Sequence, residues 1–285
     1  MDALSPVPKT AALMQPPTVF HAHVSRSLAC WNVTEAVRDN NFTKIARLSV
    51  VLLLIGVDPI SQARAPEPCL ILNKRSQRVR QPGDICFPGG GIEPGIDLIL
   101  ARLLRLPSSP LKRWPQYADW RLERPEELYR LRLLLATALR EGFEEMRLNP
   151  LAVNFLGGLP PEPLAMFRRV IQPLVVWVGR QRRFYPNWEV ERVVRVTIKD
   201  LLNPARYICY RLTMPARHPG AAHGDHLDFP AFRCVTPYGT EILWGATFRI
   251  TMGFLNKVLG FAPPELDTLE VVERKLPPRY MTGSD

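Results

Sequence analysis

Arg140-Glu141-Gly142-Phe143-Glu144-Glu145 lies near the end of a run from Glu126 to Arg147 in which Leu128, Leu131, Leu135, Ala138 and Leu139 recur every three or four residues and no proline intervenes. That period is helical. On a helix, Glu141, Glu144 and Glu145 stand at i, i+3 and i+4 and share one face. Three carboxylates so placed repel one another unless a counter-charge joins them. Mg²⁺ or Mn²⁺ would supply it, since hard cations take oxygen ligands and Mg²⁺ commonly bridges carboxylates to substrate phosphates. Arg140 is placed to orient one carboxylate through a bidentate ion pair. The bland reading of such a charge run is a solvated, salt-bridged helix face. The segment gains specificity only from its surroundings.

Upstream, Phe87-Pro88-Gly89-Gly90-Gly91 is a turn that glycine tolerates best, and it could aim backbone carbonyls at a metal. Ala46 to Ile55 reads as a buried strand, Asp58 to Pro68 as a loop, and Cys69 to Leu72 as a second strand paired with the first. Asp97 to Leu106 has helical spacing, and Pro107 to Pro125 is an excursion carrying proline and tryptophan. Downstream, Pro173 to Val178 reads as a buried strand and Glu189 to Thr197 as an alternating one. His218 to Gly239 is expected to be a long polar loop, and Thr247 to Leu259 a closing helix. Residues 1–40 read as a flexible Pro/Ala-rich extension with a short helix at Trp31 to Asn41, and residues 263–285 as a tail. The order of elements predicts an α/β fold with a mixed sheet between helices.

Composition narrows the function. Of the 285 residues, 46% are hydrophobic and 22% charged, which excludes a disordered chain. The longest apolar run, Val50 to Val57, has strand length, far short of the roughly 20 residues of a spanning helix. The first thirty residues lack the order of a secretory signal. Five cysteines without a C-x-x-C pair suggest neither a disulfide framework nor a cysteine zinc site, and a reducing cytoplasm is the simplest expectation. The net charge of +10 would attract nucleic acid, a membrane surface or phosphorylated metabolites, or simply reflect an arginine-rich surface. His218, His223, His226 and Asp228 cluster in sequence, but a loop of this composition reads as polar rather than as a zinc site.

Taken together, the glycine turn and the R-E-x-x-E-E helix resemble the Nudix box, G-x5-E-x7-R-E-U-x-E-E-x-G-U with U apolar. Leu70-Ile71-Leu72-Asn73-Lys74-Arg75-Ser76, then Arg80, then Gly83-Asp84-Ile85-Cys86-Phe87-Pro88-Gly89-Gly90, are similar to the signature of the coenzyme A diphosphatase branch. Leu156 to Leu159, Pro173 to Val176, Pro186 to Glu191 and Ile242 to Thr247 follow in that branch's order. The resemblance covers about Leu48 to Leu259. It implies a Nudix domain over residues 41–262, with a mixed sheet sandwiched between helices. It also implies metal-dependent hydrolysis of a diphosphate bond in coenzyme A or acyl-coenzyme A, giving 3′,5′-ADP and (acyl-)4′-phosphopantetheine. Other nucleoside diphosphate derivatives (ADP-ribose, a nucleotide sugar, NADH) and a non-catalytic nucleotide-binding module are the alternatives.

The resemblance implies roles for particular residues. Glu141, Glu144 and Glu145, with the carbonyl of Gly90, would hold Mg²⁺ or Mn²⁺, and Arg140 would complete the catalytic set. Arg75, Arg80, Gly89 and Gly90 would contact the substrate. Glu141, Glu189, Glu191 and Glu241 are candidates for the general base. The expected partner is a small coenzyme A-like nucleotide, with no membrane and no nucleic acid.

Two departures from the pattern stand out. The box is split by residues 98–133, so its upstream acid is either Asp97 or Glu93, and Arg132 occupies the usual spacing before Arg140. Arg147 replaces the box glycine. The insertion carries basic residues and Trp114, Tyr117, Trp120 and Tyr129, which could cover the sheet, contact substrate or build a homodimer contact.

Overall fold

The computed structural model describes residues 15–29, 48–58, 66–164, 169–213, 226–276 and 280. At its centre is β1 (Leu48–Asp58), whose aliphatic run suits a strand covered on both sides. It pairs antiparallel with β2 (Glu67–Arg75), Leu54 facing Ile71, and parallel with β7 (Arg169–Val178), Leu52 facing Leu174. β3 (Ile85–Cys86) and β8 (Val190–Thr197) flank β2, while β5 (Val153–Gly158) and β6 (Glu162–Leu164) join β7. β4 (Gly89–Gly91) is the glycine turn itself, laid antiparallel along β1 with Val50 opposite Gly90.

Side chains of β1 alternate between two cores. Val50, Leu52 and Leu54 join the first, with the helices α2 (Pro94–Leu103), α3 (Tyr117–Glu123) and α4 (Pro125–Met146). Leu53 and Ile55 join the second, with α1 (Pro17–Ser27), α6 (Gly245–Leu259) and strands of a smaller sheet. That sheet runs β11-β10-β9-β12, with β9 at Tyr207–Thr213, β10 at His226–Thr236, β11 at Gly239–Leu243 and β12 at Val271–Lys275. A short α5 (Ile198–Leu201) links β8 to the turn before β9. The mixed sheet between helical layers matches the expected fold class.

Several sequence expectations are corrected. Residues 17–27, expected within a flexible extension, form α1, because Phe20, Val24 and the following Leu28 recur at helical spacing and bury against the sheet. His23 Nε2 lies 2.7 Å from the Val258 carbonyl and ties α1 to α6. The loop expected at His218–Gly239 contains β10, whose Phe232 and Cys234 are buried against the second core. The expected tail after Ala262 contains β12, which completes the small sheet parallel to β9. The short helix expected at Trp31–Asn41, together with His218 and His223, lies outside the described residues. His226 sits 3.3 Å from the Thr213 hydroxyl, and Asp228 accepts two bonds from Arg211 at 2.8 Å.

The insertion is part of the first core. Leu111, Trp114, Tyr117 and Trp120 are buried, and Trp114 meets Trp120 and Phe155 edge-on at ring separations of 5.0 and 5.1 Å. Its last residues are the opening turns of α4, so the helix bearing the glutamates begins inside the insertion. Of the roles open to the insertion aromatics, covering the sheet accounts for these three buried rings, while Tyr129 remains exposed.

Candidate active site

Arg140 is the hub of the site. Its side chain is 4% exposed, and its Nε donates to Asp97 Oδ1 at 2.8 Å. Asp97, fully buried in the first turn of α2, also accepts from the Thr137 hydroxyl at 2.8 Å and from the Glu93 backbone N–H at 2.7 Å. Glu93 keeps its own carboxylate in solvent, 3.8 Å from Arg140. Asp97 is therefore the acid that pairs with Arg140. α2 packs on α4 and brings the two together across the insertion, which sequence spacing could not show.

The remaining guanidinium nitrogens of Arg140 point to the glycine turn and the glutamates. Nη2 donates to the Gly91 carbonyl at 3.0 Å, and Nη1 lies 3.1 Å from Glu141 and 3.2 Å from Glu144. Burial alone would lower the Arg140 pKa, but the Asp97 bond and the surrounding carboxylates raise it, so the cation is permanent. This ties the turn, α2 and α4 into one charge-assisted network.

Below this network lies a cleft of about 210 Å³ lined by Asn73, Arg75, Val79, Cys86, Gly89, Glu141, Glu145, Glu189 and Val190. Gly89 has φ +153°, and a Cβ there would strike the Val50 backbone. A Cβ on Gly90 would strike the Glu141 carboxylate, so the close approach of turn and helix needs glycine at that position. Glu145 is buried, and its Oε2 accepts from Asn73 Nδ2 at 2.8 Å. Burial, with the negative charge of Glu141 added, pushes the Glu145 carboxyl up to about 8 against the pull of the Asn73 bond. Burial also raises Glu141, opposed by Arg140.

These donors suit a hard divalent cation. Glu141 and Glu145 bring oxygens to one cleft, and the amide beside Glu145 is neutral, so the carboxylate charge there is left for a cation to balance. Glu144 stands apart: its side chain is 49% exposed, it pairs with Arg140 and does not line the cleft. Among the described residues, no three His, Cys, Asp or Glu side chains converge as a ready-made cage.

Of the general-base candidates, Glu189 lines the cleft with Glu141. Its loop is held on two sides: Asn187 N–H donates to the Glu145 carbonyl, and Ser76 N–H to that of Glu189, both at 2.8 Å. Glu241 pairs with Lys74 at 2.9 Å and with Arg192, and Glu191 pairs with the same two cations, so both are engaged as structural anions.

Arg75 lines the cleft and donates through Nε to the Arg80 carbonyl at 2.7 Å, whereas the exposed Arg80 side chain does not line it. No residue of the insertion lines the cleft among the described residues, which separates its basic side chains from this site. Arg147 takes the left-handed conformation of the missing box glycine, φ 55° and ψ 40°. The Leu148 N–H then reaches the Gly142 carbonyl at 3.1 Å and closes α4.

Sequence reading passed over two features. The first is Asn73, whose sequence signal is an amide directly after the apolar run Leu70-Ile71-Leu72. The second feature is the anchor of the loop after β2. The half-buried Asp84 accepts from Trp244 Nε1 at 3.2 Å and from the Tyr280 hydroxyl. Burial raises the Asp84 carboxyl in spite of these donors. Tyr280 also accepts the Gln81 N–H through its carbonyl at 2.8 Å. These partners are some 160 to 196 residues away in sequence, which conceals them from any local pattern.

No family model matches the chain. Among curated proteins it is similar to the Nudix hydrolase NudL of Pectobacterium atrosepticum, 26% identical over 188 residues, spanning 65% of this chain and 72% of that one. The NudL of Yersinia enterocolitica is 26% identical over 196 residues, 68% of this chain and 75% of that one. Among solved structures, a MutT/nudix family protein from Enterococcus faecalis aligns over 91% of this chain and 76% of its own, at 11% identity and a TM-score of 0.39. The Nudix hydrolase RenU of M. smegmatis aligns over 55% and 73%, at 14% identity and a TM-score of 0.33. The reassembled box agrees with the similarity to the NudL proteins, and together they support a Nudix-type hydrolase.

Proposed function

We propose that this Nudix hydrolase cleaves the diphosphate of coenzyme A or acyl-coenzyme A, releasing 3′,5′-ADP and (acyl-)4′-phosphopantetheine. The observation that carries the reading is the convergence in one cleft of Arg75 and Gly89, from the coenzyme A-type segment, with Glu141, Glu145 and Glu189. Glu141 and Glu145 would hold the divalent cation, with Glu144 and the Gly90 carbonyl as further candidate ligands outside the cleft lining. When bound, such a cation neutralises the diphosphate and lowers the pKa of an attacking water.

The chain's own residues do the rest. Arg140 fixes the glutamates against the glycine turn and sets their direction. Arg75 supplies positive charge to a phosphate at the cleft, held in place by the Arg80 carbonyl. Glu189, on its doubly tied loop, takes the proton of the attacking water. Preorganised charge of this kind supplies most of the rate in phosphoryl chemistry. Arg80 supports a second reading. As its side chain is exposed and outside the cleft lining, a 3′-phosphate contact rests on Arg75 alone. ADP-ribose, a nucleotide sugar or NADH then remain competing substrates.

A product assay with Mg²⁺ or Mn²⁺ tests this on coenzyme A, acetyl-coenzyme A, ADP-ribose, NADH and a nucleotide sugar, with Glu145→Gln as control. Release of 3′,5′-ADP from the coenzyme A species, lost with Glu145→Gln, is the expected result. Selective cleavage of another member overturns the substrate assignment. Cleavage of none by folded, metal-loaded protein overturns the catalytic reading in favour of a nucleotide-binding module.

A further inference from the structure

Asn73 is fully buried in β2, between Leu72 and Lys74, where it faces Cys86 of β3 and Val193 of β8 in the sheet. Among the described residues its side-chain amide makes one bond, from Nδ2 to Glu145 Oε2 at 2.8 Å, and its Oδ1 is buried without a partner. An unpaired buried carbonyl oxygen costs about 1–3 kcal/mol. A leucine of similar size would avoid that cost in a strand whose neighbours are Leu70, Ile71 and Leu72. Local stability therefore argues against an amide at this position. What the amide supplies is a neutral donor on one oxygen of a carboxylate that lines the cleft. A lysine or arginine there would neutralise the carboxylate and compete with a cation, and an apolar side chain would leave it free to rotate.

We propose that Asn73 is a positioning residue: its amide holds Glu145 by Oε2 and so presents Oε1 to the divalent cation in the cleft. This deepens the reading of Glu145 as a cation ligand and rests on it. The role resembles that of outer-shell groups in metal sites generally, whose loss costs roughly 10- to 100-fold in metal affinity or activity.

The test compares wild type, Asn73→Leu and Asn73→Ala by thermal melting without metal, by calorimetric titration with Mn²⁺, and by kcat and KM on whichever substrate the panel identifies. Asn73→Leu should melt close to wild type, since it removes one unpaired buried oxygen but also takes the donor from Glu145 Oε2. Its Mn²⁺ affinity should nevertheless fall roughly 10- to 100-fold, with kcat following and KM within about threefold. Asn73→Ala should show the same affinity loss with a lower melting temperature, and it decides the matter if the leucine variant does not fold. Mn²⁺ affinity within twofold of wild type in either folded variant overturns the proposal. So does an affinity loss that merely follows a drop in melting temperature across both variants. If wild type binds Mn²⁺ but cleaves nothing, the activity reading fails and the calorimetric comparison still decides Asn73. If wild type binds no Mn²⁺, both fail.

Discussion

Replacing Asp97 tests whether the split box is closed as the structure has it. Asp97 is fully buried, and its carboxylate meets Arg140 Nε at 2.8 Å, the Thr137 hydroxyl at 2.8 Å and the Glu93 N–H at 2.7 Å. Removing one partner of a buried ion pair typically costs 3–5 kcal/mol, because the other charge stays desolvated. Arg140 would retain Glu141, Glu144 and the Gly91 carbonyl, which sets the expectation for Asp97→Ala near the lower end, about 3 kcal/mol. Asp97→Asn keeps the shape and one acceptor and should cost about 1–2 kcal/mol, the difference between a charged and a neutral hydrogen bond. Glu93→Gln is the control. Its carboxylate is 68% exposed and 3.8 Å from Arg140, so the change should stay within about 0.5 kcal/mol. Urea unfolding of the metal-free proteins, with a common m-value, measures all three. A Glu93→Gln loss equal to or larger than that of Asp97→Ala would refute the assignment of Asp97 as the box acid.

Arg147→Gly should stabilise the protein, since a non-glycine residue in the left-handed region costs about 1–2 kcal/mol. Losing the guanidinium stacked 4.9 Å from the Phe143 ring offsets part of that, leaving a gain of about 0.5–1 kcal/mol in urea unfolding. Gly90→Ala should fold, because the obstacle to its Cβ is a side chain, yet lose at least about a hundredfold in kcat as the Glu141 carboxylate is pushed aside, a misplacement on the scale of 1 Å; unchanged kcat would remove Glu141 from the chemistry. Glu145 has a carboxyl raised by burial to about 8, so the fold tolerates it uncharged at low pH and is strained once it ionises. The metal-free melting temperature should therefore fall as pH rises from 5 to 9, Mn²⁺ should restore more of it at pH 9 than at pH 6, and Glu145→Gln should flatten the fall. Trp114→Ala, emptying a fully enclosed site against Trp120 and Phe155, should cost about 3–5 kcal/mol, and a loss under 1 kcal/mol would mean that the insertion is not part of the core.

Local pattern carried much of the fold. The leucine period of residues 126–147 corresponds to α4 at Pro125–Met146, and the apolar runs at Val50 and Val175 to strands β1 and β7. Where reading failed, the burying partner lay far off in sequence. Residues 17–27 are apolar only at Phe20, Val24 and nearby positions, too few to stand out in a tail. They are helical because α6 and the sheet offer a surface for them. β10, HLDFPAFRCVT, carries an acidic residue and a mid-strand proline, and β12, VVERK, is short and largely charged, so neither stands out as a strand until the small sheet pairs it. The same holds at the site: Glu141 and Glu145 were legible from their spacing on a helix, whereas Asn73, Glu189 and the Asp84 anchor come from strands and loops brought in by the sheet.

The sequence by itself determined the helix that carries the carboxylates, the glycine turn that must approach it and the α/β class, because periodicity and the conformational range of glycine are local properties of the chain. Only the tertiary structure decided that Asp97 rather than Glu93 answers Arg140, that Glu144 stands outside the cleft while Glu189 lies within it, and that the insertion covers the sheet. Each of these depends on which buried charge finds a partner once water is excluded, and that is settled by the packing of α2 on α4 and of both on β1.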